Sequence, residues 1–285
     1  MINPYFLASE LVTLLVFLLC LRHAARRGGP ALLRLLAGVL FGLLLELATI
    51  RQLHAYQYGR FTLMVLDVPL SIGVAWGCIV YAVRDFTDAA ALPGWSRPVL
   101  DALLALNIDL AMDALAIRLG MWDWGMGLSA QYFGVPYANF WAWFWVVFSF
   151  SGGMRLLEAL PGRLGRWLAP VGAIPLGLAG VMFTNALITF WLPRVLYETV
   201  IAVLLAGALI LLLALRPRFP RPSDPLTGRV VLLFHAFYLA AGVLSGVIFQ
   251  PPFLLLMSLL MLAVAEWLYH RPVLGRWIRM APGAR

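Results

Sequence analysis

Residues 98–117 read PVLDALLALNIDLAMDALAI. The run is long enough to cross a hydrocarbon core of about 30 Å as a helix, which takes about 20 residues. Yet it carries Asp101, Asn107, Asp109 and Asp113. A lipid-facing helix would not hold them, because an ionised carboxylate at the bilayer centre costs roughly 3 kcal/mol or more. The segment must face a protein interior or a wet cavity. Asp109 and Asp113 are four residues apart and share one helix face. Asp101, at the segment's end, is expected to face headgroups and water.

The rest of the chain supports a membrane setting. Of 285 residues, 63% are hydrophobic and 12% charged, with a mean hydropathy of +0.90. That composition indicates an all-α, polytopic helical bundle, residues 1–285 forming a single transmembrane domain. Apolar runs of spanning length fall at 5–21, 32–54, 66–83, 98–117, 138–154, 168–190, 195–215, 230–249 and 253–269. This predicts nine spans, or eight if Gln250-Pro251-Pro252 does not divide the last two. All 21 basic residues are arginines. The odd-numbered loops and the C-terminus hold Arg22, Arg26, Arg27, Arg34, Arg84, Arg97, Arg155, Arg163, Arg166, Arg216, Arg218, Arg221, Arg229, Arg271, Arg276, Arg279 and Arg285. Only Arg51, Arg60, Arg118 and Arg194 fall on the other side. By the positive-inside rule the N-terminus is outside and the C-terminus cytoplasmic, in a bacterial inner membrane. Arginines at segment ends are orientation signals and phospholipid contacts, which excludes a nucleic-acid partner. The N-terminus lacks the positive region of a cleaved signal and reads as a retained anchor.

Cys20 and Cys78 form no metal spacing, and no disulfide is expected. There is no HExxH, no Walker A and no histidine-box cluster, so no metal and no cofactor is implied. Of the dispersed histidines, His54 lies close enough to the outer loops to assist a site. His235 reads as a packed helix residue, and Glu266 with His270 as a surface pair. Asn185 suits an interhelical hydrogen bond or a substrate contact.

Two further acids, Glu46 and Glu198, lie in or at the ends of apolar runs and by the same argument must face a protein interior or a wet cavity. With the predicted topology, Glu46, Asp109, Asp113 and Glu198 all converge toward the outer leaflet. The two oddest loops lie at the same face. One reads His54-Ala55-Tyr56-Gln57-Tyr58-Gly59-Arg60-Phe61; the other runs from Trp122-Asp123-Trp124-Gly125 to Gln131-Tyr132-Phe133-Gly134-Val135-Pro136. Interfacial aromatic belts account for rings, but not for rings interleaved with Gly, Pro and Asp. A pocket-capping loop fits better, with Gly59, Gly125 and Gly134 permitting its tight backbone.

Buried acids beneath aromatic rings suit one chemistry that needs neither metal nor nucleotide. A buried carboxylic acid donates a proton to an electron-rich alkene. The faces of Trp, Tyr and Phe then stabilise the tertiary carbocation. The substrate would be a lipophilic isoprenoid entering from the bilayer.

The order of Glu46, Tyr56-x-Tyr58-Gly59, Val68-Pro69-Leu70 with Trp76, Asp109-x-x-x-Asp113, Gly120-x-Trp122-x-Trp124 and Tyr132-x-Gly134-Val135-Pro136-x-x-Asn139-Phe140 resembles the CruF-type carotenoid biosynthesis proteins. These are membrane carotenoid 1,2-hydratases, including bisanhydrobacterioruberin hydratases, and the resemblance covers about 42–145. Asp113 is followed here by Ala114 rather than the family's Pro. Asn139-Phe140 runs into Trp141-Ala142-Trp143 rather than Gly-Trp, which narrows the pocket mouth.

The resemblance implies hydration of a terminal C-1,2 double bond in an acyclic or monocyclic carotenoid. Asp109, Asp113 and Glu46 are then the expected catalytic residues, with Asp109, the deeper of the pair, as first choice of acid. Tyr56, Tyr58, Trp76, Trp122, Trp124, Tyr132 and Phe140 would surround the substrate, and Asn139 would position the water. Other carotenoid-pathway enzymes are candidate partners. Two rival functions remain: an integral-membrane terpene or carotenoid cyclase using the same protonation, and a non-catalytic isoprenoid-lipid transporter.

Overall fold

The computed structural model describes residues 3–220 and 223–280. Arg221, Arg285 and the side chains of Arg271, Arg276, Arg279 and His270, the last with its expected pairing to Glu266, lie outside the described set. The described residues form nine long helices: α1 (Pro4–Arg27), α2 (Gly29–Ala48), α3 (Leu70–Asp88), α4 (Arg97–Arg118), α5 (Tyr137–Glu158), α6 (Gly162–Ala186), α7 (Tyr197–Leu215), α8 (Pro225–Ser245) and α9 (Phe253–Met280). Six helical stretches are long and apolar enough to cross a membrane. Helix α4 carries too many charges to be one of them, and the apolar stretch Phe253–Tyr269 of α9 is shorter. Helices α8 and α9 are separate, so residues 250–252 do divide two helices.

Local chemistry sets the ends. The Asn3 side chain accepts the Tyr5 N–H at the start of α1, and Pro4 needs no helical donor there. Asp224 caps α8 in the same way, accepting from Leu226 N at 2.9 Å ahead of Pro225. Burial raises this carboxyl, but the Leu226 N–H, His23 and Arg27 outweigh it and hold Asp224 below the usual range.

Helix α4 is the axis of the bundle, with α3, α5, α8 and α9 packed around it. From Pro98 to Ile117 every residue is buried except Leu103 and Leu110, which are half-buried. That enclosure is why one helix can carry three aspartates. Asn107 donates to the Met261 carbonyl at 3.0 Å and meets His235 Nε2 at 3.1 Å, tying α4 to α9 and α8.

Helices α2 and α3 approach closely through Gly38-x-x-x-Gly42 and Gly73-x-x-x-Gly77, the small-residue spacing that lets membrane helices touch backbones. A Cβ on Gly77 would lie 2.7 Å from Val39 N, and one on Gly42 2.5 Å from Trp76 Cβ.

Two expectations fail here. Asp101 does not face water: it is 0% exposed, accepts from Ser151 and pairs with Arg155 at 3.0 Å. Helix α5 packs on α4 and brings both partners, so the charge is neutralised inside the bundle. They join Arg84, Asp88 and Glu158 in an ion network at the arginine-rich end. Glu198 does not face an interior at all. It is exposed in the first turn of the peripheral helix α7, where the helix dipole favours a carboxylate.

Candidate active site

The opposite end of the bundle is closed by the two aromatic loops. Their short strands β1 (Gln57–Tyr58) and β4 (Trp122–Asp123) pair antiparallel, and Gly59 N donates to Met121 O at 2.9 Å. Gly59 allows this contact, because a Cβ there would meet the Phe6 ring at 2.6 Å and Gly120 O at 2.7 Å. The first loop also folds on itself through β2 (Met64–Val65) and β3 (Val68–Pro69). Arg118, at the end of α4, clasps the second loop and the α8–α9 turn, donating to Phe133 O, to Leu128 O at 2.8 Å and to Gln250 O at 3.0 Å.

Beneath this lid Glu46 is 6% exposed and accepts three hydrogen bonds. Trp76 Nε1 donates at 2.7 Å and Tyr58 at 2.8 Å, with Tyr56 as third donor. Burial first, and then the neighbouring Glu46 carboxylate, push both phenols well above their ordinary range, so they stay protonated and donate.

The second acidic group is the α4 pair. Asn139 Nδ2 donates to Asp109 Oδ2 at 2.9 Å and to Asp113 Oδ2 at 2.8 Å. Trp122 Nε1 donates to Asp113 Oδ1, whereas Asp109 Oδ1 is buried with no hydrogen bond from the protein. No cationic side chain pairs with either aspartate among the described residues.

These groups surround a chamber of about 70 Å³ lined by Glu46, Asp109, Asp113, Tyr56, Trp122 and Trp124, among others. It shares Glu46, Tyr56, Trp76, Trp124, Asn139 and Trp143 with an adjoining cavity of about 420 Å³. The rings interlock edge to face: Tyr56 on Trp124 at 4.5 Å between centroids, Tyr58 on Trp122 at 5.9 Å.

Other expected residues sit elsewhere. Tyr132 and Phe140 do not line the chamber; Tyr132 donates to Leu110 O at 2.8 Å and packs on Phe140, bracing the lid from behind. His54 is exposed, at a positive φ of 48°, and outside the lining. Asn185 and Trp141 line the larger cavity. Asn139 spends both N–H groups on the acids rather than standing free for water.

Trp143, Tyr238, Thr13 and Ser71 line the chamber without having been singled out. Trp143 packs on Trp76 with ring centroids 4.2 Å apart and the planes tilted by 37°. Its signal was present, since it follows Asn139 by four residues and so shares its helix face. Tyr238 had none, being one ring on an apolar helix. Among the described residues, one His/Asp cluster has metal-ligand spacing: His23, Asp85 and Asp224, at the arginine-rich end. There Arg27 already pairs with both aspartates, supplying the positive charge.

Fold and site together define an integral-membrane helical bundle with a buried carboxyl site under an aromatic lid. The family profile described as "Carotenoid biosynthesis protein" matches residues 5–213, and the chain belongs to that family, which gives it a part in carotenoid biosynthesis. The match is wider than the 42–145 segment that carries the motif resemblance. It spans α1 to nearly the end of α7, and α8, which supplies Tyr238, lies beyond it. No curated protein and no solved structure matches the chain.

Proposed function

We propose that the protein is a carotenoid hydratase of the bacterial inner membrane, with nine spans, the N-terminus outside and the C-terminus cytoplasmic. One observation carries the reading. Two carboxyl groups bridged by a single neutral amide, with no cation beside them among the described residues, face a small aromatic-lined chamber that opens into a larger cavity. Two such groups cannot both be ionised cheaply in that setting, so the pair holds a proton to give.

Asp109 is the better donor, because its Oδ1 is uncommitted while both Asp113 oxygens already accept N–H groups. The terminal isopropylidene group of the carotene enters the chamber and the polyene lies in the larger cavity against Trp141 and Trp143. The Asp109 O–H bond breaks as a C–H bond forms at C-2, leaving a tertiary cation at C-1. The ring faces of Trp122, Trp124 and Tyr56 stabilise that cation, each worth about 0.5–2 kcal/mol or more when desolvated. Water forms the C–O bond and returns its second proton to the carboxylate. The sum is addition of one water, with no redox change.

Glu46, held by three donors, keeps the tyrosines and Trp76 oriented around the reacting end. Convergence of the acids at one end, against ion pairs at the other, argues against a transporter, which needs access from both sides. A cyclase is the second reading, favoured by the mainly apolar lining. Coexpression with enzymes making lycopene or γ-carotene, followed by chromatography and mass spectrometry, tests all three. Hydration adds the mass of one water, cyclisation adds none, and transport leaves the carotene unchanged.

A further inference from the structure

A hydratase needs a place for water that its lipid substrate does not take. The chamber has a second neighbour besides the aromatic cavity: a cavity of about 340 Å³ between α1 and α3, bordered by the loop at Thr62 and Leu63. Both cavities share lining residues with the acid chamber, but their linings differ in kind. The larger one carries Tyr56, Trp76, Trp124, Trp141, Trp143 and Tyr197, a surface for a polyene. The α1–α3 cavity has one aromatic, Phe17, among leucines, and its polar groups lie on α1, on the bordering loop and at the start of α3.

Three of those polar groups form a sequence leading inward. Glu10 Oε1 accepts Thr62 N at 2.9 Å and Leu63 N at 3.3 Å, while Oε2 is buried without a hydrogen bond from the protein. Thr13 follows Glu10 by three residues on the same face of α1 and is 6% exposed. Ser71, in the first turn of α3, has a buried Oγ that likewise makes no hydrogen bond to the protein. Thr13 and Ser71 line both the α1–α3 cavity and the acid chamber; no other described residue lines both. Buried polar atoms are normally satisfied, and two uncommitted oxygens in the lining of one cavity, together with the Thr13 hydroxyl, are suited to hold and pass water.

We propose that Thr13 and Ser71 seat the water that captures the carbocation, and that it enters past Glu10 through the α1–α3 cavity while the carotene occupies the aromatic one. This rests on the hydration reading and deepens it. Asp109 delivers its proton to C-2 from one side. Water held by the two hydroxyls attacks C-1, its oxygen forming the C–O bond as its surplus proton passes to the carboxylate. Thr13 and Ser71 are positioning residues for the nucleophile and take no part in the first proton transfer.

That division gives a test. Protonation is reversible, so in D₂O the recovered carotene gains deuterium at C-2 whether or not water captures the cation. Wild type, Ser71→Ala, Thr13→Val and the double variant are assayed in lipid nanodiscs with lycopene in D₂O, measuring hydrated product and deuterium in recovered lycopene. The expected result is a fall in hydrated product of about tenfold per lost hydroxyl, the effect of one hydrogen bond to the attacking water. Deuterium wash-in persists, and Thr13→Ser restores hydration. Unchanged hydration in the variants overturns the water seat and leaves the hydratase reading standing. Parallel loss of hydration and wash-in in Ser71→Ala, the smallest change, also overturns it. A wild type that forms no hydrated product overturns both.

Discussion

Asp109 and Asp113 are joined through one side-chain nitrogen, the Nδ2 of Asn139 on the neighbouring helix, 2.9 and 2.8 Å away. Their helix spacing puts them on one face, and α5 supplies the amide that keeps their carboxyls side by side. The remaining asymmetry is that Trp122 occupies Asp113 while Asp109 keeps an unpartnered oxygen. Asp109→Asn retains volume and polarity but removes the transferable proton. Product formation should fall by about 10²–10⁴-fold, the usual worth of a general acid, with the protein still folded. Asp113→Asn should cost less and displace the pH–rate profile, because two neighbouring carboxyls titrate as a unit. If both variants fold and retain near-normal yield, the mechanism is wrong.

Trp124 and Tyr132 separate pocket from support. Trp124 lines the chamber against Tyr56, whereas Tyr132 lies behind the lid, bonded to the Leu110 carbonyl. Trp124→Ala should lower turnover at near-normal protein levels. Tyr132→Ala should instead lower the melting temperature and membrane accumulation, by up to about 3 kcal/mol, as a half-buried ring loses its packing on Phe140 and its bond to the Leu110 carbonyl. Quantitative immunoblotting beside product analysis checks both, and equal behaviour of the two variants would refute the distinction.

The chain by itself discloses part of this arrangement. Helix positions follow apolar run length, and they emerge close to where α1 to α9 lie. The Asp109–Asp113 relation is legible because it is local, a matter of helix period. Asp101 misleads because its partners, Ser151 and Arg155, are 50 and 54 residues away, and nothing near Asp101 announces them. Glu198 misleads in the opposite sense: it sits beside an apolar run, but α7 is peripheral and turns that side chain outward. Tyr132 and Trp124 look alike in sequence, and only the β1–β4 pairing and the Arg118 clasp decide which ring faces the chamber.

Asp101 yields a stability prediction. Arg155→Ala removes the cation from a carboxyl that is 0% exposed, which should destabilise by about 3–5 kcal/mol because a buried charge is left uncompensated. Arg155→Lys should recover only part of this, since Arg155 also reaches Asp88 and Ser151 with its other nitrogens. Thermal unfolding in detergent measures both. A loss below about 1 kcal/mol, the worth of a surface pair, would show that water reaches Asp101.

Orientation is open to direct measurement. Reporters fused at Arg27, Arg163 and Ser223 should read cytoplasmic, and one at Gly127, in the lid, should read outside. Gly127 and Ser223 on one side would break the link between the arginine-rich end and the cytoplasm, and with it the outer-face location of the site.

Gly42 couples helix packing to the site. Its missing Cβ leaves room for Trp76, whose own Cβ would lie 2.5 Å from an added methyl, and Trp76 donates to Glu46 at 2.7 Å. Gly42→Ala must push α3 or its indole away, costing about 1–3 kcal/mol as overpacking does, and withdrawing one of three donors from Glu46. Trp76→Phe removes that donor while keeping a ring beside Trp143. Should the Glu46 hydrogen bond matter to turnover, both variants lose activity to a similar degree, while only Gly42→Ala loses much stability. Measuring kcat and melting temperature on the two proteins separates the effects. Normal turnover in Trp76→Phe would reduce Glu46 to a structural acid and leave the α4 pair to act alone.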